Sequence, residues 1–69
     1  MPSTAIRRFS YDPQAHALDV TFVTGRRYRY FAVPAGVAQD FRAASSRGGF
    51  FNARIRDRFR FEELERGEA

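Results

Sequence analysis

The sequence predicts an α+β fold, with a three-stranded antiparallel β-meander followed by two short helices packed on one face. Three observations support this prediction. Two stretches near the amino end alternate apolar with polar residues, a glycine-containing loop precedes a third stretch of arginine and tyrosine, and apolar residues recur at helical spacing further on. Because 69 residues suffice for one small domain, these elements are expected to share one core.

Alternation predicts the first two strands over residues 5–11 and 17–23. Pro13 sits in a polar stretch between them, where its fixed φ favours a turn. The second strand directs three apolar side chains to one side, namely Leu18, Val20 and Phe22. That side is the predicted inner face of the sheet.

The direction of the third strand follows from the loop around Gly25. A two-residue loop would place the guanidinium groups of Arg27 and Arg29 on the apolar face, where burying a charge is costly. A three-residue loop with Gly25 at positive φ instead places Tyr28 and Tyr30 on that face. We therefore expect the three-residue loop, with both arginines facing away from the core.

A first helix is predicted to begin at Pro34, because apolar residues then recur at helical spacing, at Val37, Phe41 and Ala44. The serine and glycine cluster at 45–49 interrupts this stripe. It predicts the start of a second helix over about 50–57, followed by an extended segment. Arginine alternates with other residues over 54–61, so helix and strand both remain open there.

The inner faces of these elements predict one core, which consists of Leu18, Val20, Phe22, Tyr28, Tyr30, Phe41 and Ile55. The predicted domain covers residues 5–61. An amino-terminal extension over 1–4 and an acidic tail over 62–69 flank it.

Charge is distributed unevenly along the chain. Residues 1–60 contain eleven arginines and four aspartates, a net charge of +7, whereas residues 61–69 contain one arginine and four glutamates, a net charge of −3. A basic body of this kind attracts polyanions and is equally compatible with simple solubility. Both explanations remain open.

The residue types argue against catalysis. His16 is the single histidine and lies in a predicted turn, the chain has no cysteine, and no carboxylate pair falls in a predicted cleft. We expect no enzyme activity, no cofactor, no metal site and no small-molecule substrate. No leader pattern or membrane-length apolar run is present either, so we expect no membrane partner and a cytoplasmic location.

One predicted surface combines cations with an aromatic ring. Arg27, Arg29 and Phe31 share the outer face of the third strand, where a ring can stack on a base while guanidinium groups hold phosphate. Arg47 and Arg54 are expected to extend this nucleic-acid-binding surface. The alternative is that Arg29 only pairs with Asp19 across the hairpin and that Phe31 is covered by other parts of the chain.

A second candidate is a phosphate-binding loop formed by Ser46, Arg47, Gly48 and Gly49. Backbone N–H groups before a helix can gather around a phosphate, with the arginine alongside. The alternative is that these residues only end one helix and start the next.

Several motifs, taken together and in order, resemble one known family. They are Ser10-Tyr11-Asp12, Leu18-x-Val20-x-Phe22-x-x-Gly25, Tyr28-Arg29-Tyr30, Val33-Pro34, Phe41, Ala44-x-Ser46-x-Gly48 and Phe50-Phe51-Asn52-x-x-Ile55-Arg56-x-x-Phe59. This order resembles the KTSC domain, a short bacterial module found at the carboxyl end of some lysyl-tRNA synthetases and as a stand-alone protein. Positions 50 and 59 depart from the family, in which tyrosine is frequent there. The attachment to a synthetase implies RNA binding.

These observations predict a small non-enzymatic binding module. The favoured function is that of an accessory domain for tRNA or single-stranded RNA, acting through a basic surface that contains aromatic rings. The alternative is a module for protein interaction or homodimerisation with no nucleic-acid role.

Overall fold

The computed structural model describes residues 5–64. Its four strands are β1 (Ile6–Asp12), β2 (Ala17–Phe22), β3 (Arg27–Tyr30) and β4 (Phe61–Leu64). Its helices are α1 (Ala35–Ala43), α2 (Arg47–Phe50) and a π-helix that follows α2 directly (Phe51–Ile55). The expected extension over 1–4 lies outside the described residues.

The α+β class is confirmed, but the antiparallel sheet has four strands, in the order β1-β2-β3-β4, and not three. The fourth strand begins at Phe61, so residues 62–64 belong to the sheet and not to the expected tail; residues 65–69 lie outside the described part. Pairing with β3 places Glu62 opposite Arg29 and Phe61 opposite Tyr30. Opposite charges and facing rings both favour such cross-strand pairs, although β4 itself shows no apolar alternation.

The hairpin between β2 and β3 has the predicted register. Tyr30 lies opposite Leu18 and Tyr28 opposite Val20, so both tyrosines face the core side. Gly25 has a φ of +95°, in the region that glycine adopts readily. Its N–H donates to the Phe22 carbonyl at 2.8 Å, which closes the loop.

A β-bulge shapes the edge strand β1. The pairing with β2 shifts between Ile6 and Arg8, which leaves Arg7 as the extra residue. Without that shift Ile6 and Phe9 would point to opposite faces of the sheet. With it, both pack against the core.

The helical half differs in detail from the prediction. The second helix begins at Arg47, earlier than expected, and ends as a π-helix at Ile55. Its wide turn is closed by the Arg56 N–H, which donates to the Phe51 carbonyl at 2.8 Å. Both Phe51 and Ile55 are buried by this geometry. Of the range 54–61, for which helix and strand were both open, residues 54 and 55 end the π-helix, residues 56–58 form a turn, and Phe61 begins β4.

The core lies between the sheet and the helices. Its buried members are Leu18, Val20, Tyr30, Val33, Phe41, Phe51 and Ile55. Phe22 and Tyr28 pack against this cluster but are only partly buried. Val33 and Phe51 join it without having been expected there. The Tyr11 hydroxyl donates to the Val33 carbonyl at 2.6 Å and so ties β1 to the start of α1.

Candidate functional site

The helix-free face of the sheet carries the first group of expected binding residues, Arg27, Arg29 and Phe31. The Arg29 guanidinium donates two hydrogen bonds to Asp19, from Nε to Oδ1 at 2.8 Å and from Nη2 to Oδ2 at 3.1 Å. These bonds, and then the charge of Asp19, raise the pKa of Arg29 above its ordinary value. A phosphate would therefore have to compete with a carboxylate that already binds this guanidinium in bidentate fashion.

Phe31 is half-buried on the same face. The Arg60 guanidinium lies 5.3 Å from the centroid of its ring, and the Phe31 N–H donates to the Arg60 carbonyl. Acidic side chains also line this face, since Glu62 lies opposite Arg29. The face thus mixes both signs of charge.

The second group, Arg47 and Arg54, lies on the other side of the sheet, over the helical layer. There the rings of Phe9, Phe41 and Phe50 form a stack, with centroids 4.2 Å apart for the first pair and 5.6 Å for the second. We expected all four arginines and Phe31 on one surface. The structure separates Arg47 and Arg54 from the Arg27, Arg29 and Phe31 face.

Three exposed guanidinium groups cover this ring stack. Arg47 lies 5.3 Å and Arg42 5.9 Å from the Phe9 centroid, while Arg54 lies 5.2 Å from that of Phe50. Within the described part of the chain, none of the three has a carboxylate within ion-pair distance. We call the set of Phe9, Phe41, Phe50, Arg42, Arg47 and Arg54 the arginine-capped stack.

Arg42, Phe9 and Phe50 were not predicted to belong to this site. Arg42 follows the buried Phe41 in the last turn of α1, and Phe9 belongs to β1, far away in sequence. The available signal was the adjacency of an arginine to a core phenylalanine at a helix end. That signal is weak, because the contact with β1 depends on how α1 packs on the sheet.

The expected phosphate loop is a helix start. The Ser46 Oγ accepts a hydrogen bond from the Gly49 N–H at 3.1 Å, as an N-cap serine does. A Cβ atom at Gly49 would lie 3.0 Å from that Oγ, so glycine leaves room for the cap. The loop geometry is accounted for by capping, and the Arg47 side chain belongs to the arginine-capped stack.

A second cluster of rings borders an open groove of about 550 Å³ between the π-helix and the β3–β4 side of the sheet. Its aromatic lining consists of Phe22, Tyr28, Tyr30, Phe51 and Phe61. The neighbouring ring centroids are 5.4 to 5.6 Å apart for the pairs Phe22–Phe51, Tyr30–Phe51, Tyr28–Phe61 and Tyr30–Phe61. We call this space the aromatic groove.

Polar groups border the aromatic groove as well. Arg26 lies 3.6 Å from a carboxylate oxygen of Glu63, and Arg56 and Asp57 follow the π-helix. Burial raises the pKa of Tyr30 to about 12, the charge of Arg56 opposes this effect, and that of Asp57 adds to it. Near neutral pH the Tyr30 hydroxyl is protonated, as an unshifted tyrosine also is, and it can donate a hydrogen bond.

Residues 5–64 contain no group of three or more His, Asp or Glu side chains that could hold a metal ion. None of the helices in that range is long and apolar enough to cross a membrane.

Comparison with known proteins places the fold in a family. The KTSC domain model matches residues 2–59 of this chain. A crystal structure of a KTSC domain protein from Yersinia pestis superposes with a TM-score of 0.87 at 31% identity, covering 94% of this chain and 92% of that one.

Proteins of two kinds are similar to this chain in sequence, long tRNA ligases and a short protein. A lysine–tRNA ligase of Nostoc punctiforme is 39% identical over 61 residues, which are 88% of this chain and 11% of the ligase. A protein of Tsukamurella paurometabola is 41% identical over 58 residues, 84% of this chain and 87% of that protein. The chain thus spans about a tenth of the ligase and most of the smaller relative. By its match to the family model and to these relatives, the chain belongs to the KTSC domain family.

Proposed function

We propose that this chain is a non-enzymatic accessory module that binds RNA by holding backbone phosphates on the arginine-capped stack. One observation carries the proposal. Arg42, Arg47 and Arg54 lie over one stack of rings, exposed, with no carboxylate partner among residues 5–64.

The ring stack prepares these arginines for an anion. A guanidinium that lies over a ring face keeps the N–H donors at its edge, and the contact limits the rotamers that the long side chain can adopt. Less side-chain entropy is then lost when a phosphate binds. Phosphate accepts hydrogen bonds in pairs, which matches the fork of donors on arginine.

The charge and the relatives support the same ligand class. The first 60 residues have a net charge of +7, which attracts a polyanion at long range. The lysine–tRNA ligases that contain a similar segment act, by their name, on tRNA. A surface that binds RNA would help such an enzyme to hold its tRNA. A relative of similar length could use the same surface on its own.

Fluorescence anisotropy with a labelled single-stranded RNA and a labelled tRNA over a salt series tests this proposal. If three phosphates are neutralised, log K against log salt should fall with a slope near −2 for the single strand. The triple variant R42Q/R47Q/R54Q should abolish most of the binding and of the slope. The matched variant R8Q/R27Q/R58Q removes the same charge from positions outside the stack, of which Arg8 and Arg58 are exposed and Arg27 is half-buried.

The matched variant decides between surfaces. Near-normal binding by R8Q/R27Q/R58Q, together with loss in R42Q/R47Q/R54Q, supports the arginine-capped stack. Equal loss of RNA binding in both variants indicates unspecific attraction to a basic protein. Loss of binding in R8Q/R27Q/R58Q alone indicates the sheet face of Arg27, Arg29 and Phe31. Either result contradicts the proposed site.

Self-association is the competing function, because β1 and β4 are the sheet edges among the described strands. The edge at β1 is bulged at Arg7 and carries a second arginine at the next position, features that oppose edge-to-edge pairing. Sedimentation analysis should show a monomer. A salt-insensitive dimer that binds no RNA would favour the competing function.

A further inference from the structure

The aromatic groove combines two features of a ligand site, exposed apolar side chains and a suitable volume. Both exposed large apolar side chains among residues 5–64, Val23 at 55% and Phe61 at 49% exposure, line it. Its volume of about 550 Å³ lies within the range of small-molecule sites, which runs from about 300 to 1,000 Å³. Exposed apolar side chains gathered at one groove commonly mark a binding site.

The wall of the groove suits a planar ligand. Phe61 is tilted against the rings of Tyr28 and Tyr30, with interplanar angles of 48° and 34°, and about half of it remains open to solvent. A flat ring that stacks on Phe61 would cover this surface. Stacking of this kind is how proteins hold unpaired nucleobases.

The polar rim supplies charges of both signs beside this wall. Arg56 gives one N–H to Asn52 Oδ1 at 3.3 Å, which orients the guanidinium and leaves further donors. Arg26 forms an ion pair with Glu63, with 3.6 Å between Nη1 and Oε2, so Arg56 is the better placed cation for a phosphate. Asp57 follows Arg56 at the rim and offers a carboxylate acceptor for an amino group.

The tyrosine hydroxyls add donors inside the groove. In the described structure neither Tyr28 nor Tyr30 donates its hydroxyl to another residue, and no buried polar side-chain atom lacks a partner. Both tyrosines line the groove, although only 3% of Tyr30 is exposed.

From this arrangement we infer that the aromatic groove binds a nucleoside monophosphate whose base carries an exocyclic amino group, with the base on Phe61, the amino group at Asp57 and the phosphate at Arg56. An isolated mononucleotide and a terminal nucleotide of RNA share this chemistry. The inference is independent of RNA binding by the arginine-capped stack, because the groove lies on different residues. Residue types alone predict no small-molecule ligand.

NMR titration of the ¹⁵N-labelled chain with CMP, UMP and ribose 5-phosphate tests the inference directly. CMP should shift the amide signals of the groove and bind more tightly than UMP, which has a carbonyl in place of the amino group. Ribose 5-phosphate should cause little change. Equal binding of CMP and UMP, or equal shifts from ribose 5-phosphate, would overturn the inference.

Variants separate stacking from folding. F61L keeps apolar bulk but removes the ring, and should raise the Kd for CMP about five-fold or more, whereas F61Y should keep normal binding. R56Q should weaken CMP binding, while R58Q, an exposed arginine outside the groove, should not. D57N should narrow the gap between CMP and UMP.

Two further titrations test whether an RNA end or a peptide side chain binds in the groove. A short RNA ending in cytidine 3′-phosphate should compete with CMP if terminal nucleotides use the groove, and its failure to compete would restrict the site to free nucleotides. N-acetylphenylalaninamide probes a peptide occupant. Groove shifts from this amide that equal those from CMP, with no loss in R56Q, would show a general apolar site and refute the nucleotide assignment.

Discussion

Neighbouring residues of β3 face opposite layers of the molecule and contribute in different ways. Tyr30 turns into the core, where 3% of it is exposed and Phe51 and Phe61 contact its ring. Arg29 turns to the helix-free face and binds Asp19 beside solvent. The alternation of ring and cation that marks this strand is therefore divided between a face that stabilises by burial and a face that neutralises charge.

A similar contrast separates the two faces as anion sites. Arg29 already has a carboxylate partner, whereas Arg47 and Arg54 lie over rings without one in residues 5–64. Arginine content by itself says little about phosphate binding. The partner of each guanidinium decides whether its charge is available.

Truncation of Tyr30 should have the largest effect on stability. Y30A should lower the free energy of unfolding by about 3 kcal/mol or more, because it removes a buried ring in the centre of the core. Urea denaturation gives this value, with Y28A as a control for a ring that is only partly buried. A smaller loss for Y30A than for Y28A would contradict the assignment of Tyr30 to the core.

Alkaline pH probes the same core face. The pKa of Tyr30 is raised to about 12 by burial, so the folded state retains this proton while the unfolded chain releases it. Stability from this group is full below the ordinary tyrosine pKa and is lost as pH rises through about 12. Urea midpoints should fall over this window in the wild type and less steeply in Y30F. Parallel profiles would refute the shift.

The loop at Gly25 decides which residues of β3 enter the core. G25A should destabilise by about 1 kcal/mol, because φ is +95° and no atom would contact an added Cβ within 4 Å, so the effect is purely conformational. G36A is the matched control, since Gly36 lies in α1 with equally open space. It should stabilise slightly. Destabilisation of both by the same amount would argue against the backbone explanation.

One hydrogen bond joins Tyr11 of β1 to Val33, which lies just before α1. Y11F should lower stability by about 1 kcal/mol, because it leaves the carbonyl of the buried Val33 without the donor now at 2.6 Å. Thermal unfolding measures the change. An unchanged Tm would mean that this carbonyl finds another partner.

The smallest effect is expected on the helix-free face. R29A should lower the urea midpoint less than any destabilising variant above, because the Arg29–Asp19 pair is only partly buried and its attraction is screened by water and salt. High salt should reduce the difference further. If R29A proved more damaging than Y30A, the contrast between the two faces of the sheet would fail.

The hairpin was predictable because burial is selective. Of a two-residue and a three-residue loop, the three-residue loop keeps arginine out of the apolar face defined by Leu18 and Val20, and it fixes both the register and the conformation of Gly25. The fourth strand was not predictable in this way. Its residues do not alternate, and they form a strand because β3 offers an unpaired edge with Arg29 opposite Glu62.

The candidate sites also combine features that are local in the sequence with features that depend on the fold. The sequence by itself determined a basic α+β domain, the inner faces of β2 and β3, and the presence of arginine beside aromatic residues, because charge, volume and spacing are local properties. Only the tertiary structure decided which cations lack a carboxylate partner among residues 5–64. Packing of α1 and the π-helix on β1 brings Arg42, Arg47 and Arg54 to the rings of Phe9 and Phe50, while strand pairing binds Arg29 to Asp19. The availability of a charge depends on neighbours that lie far away in the chain.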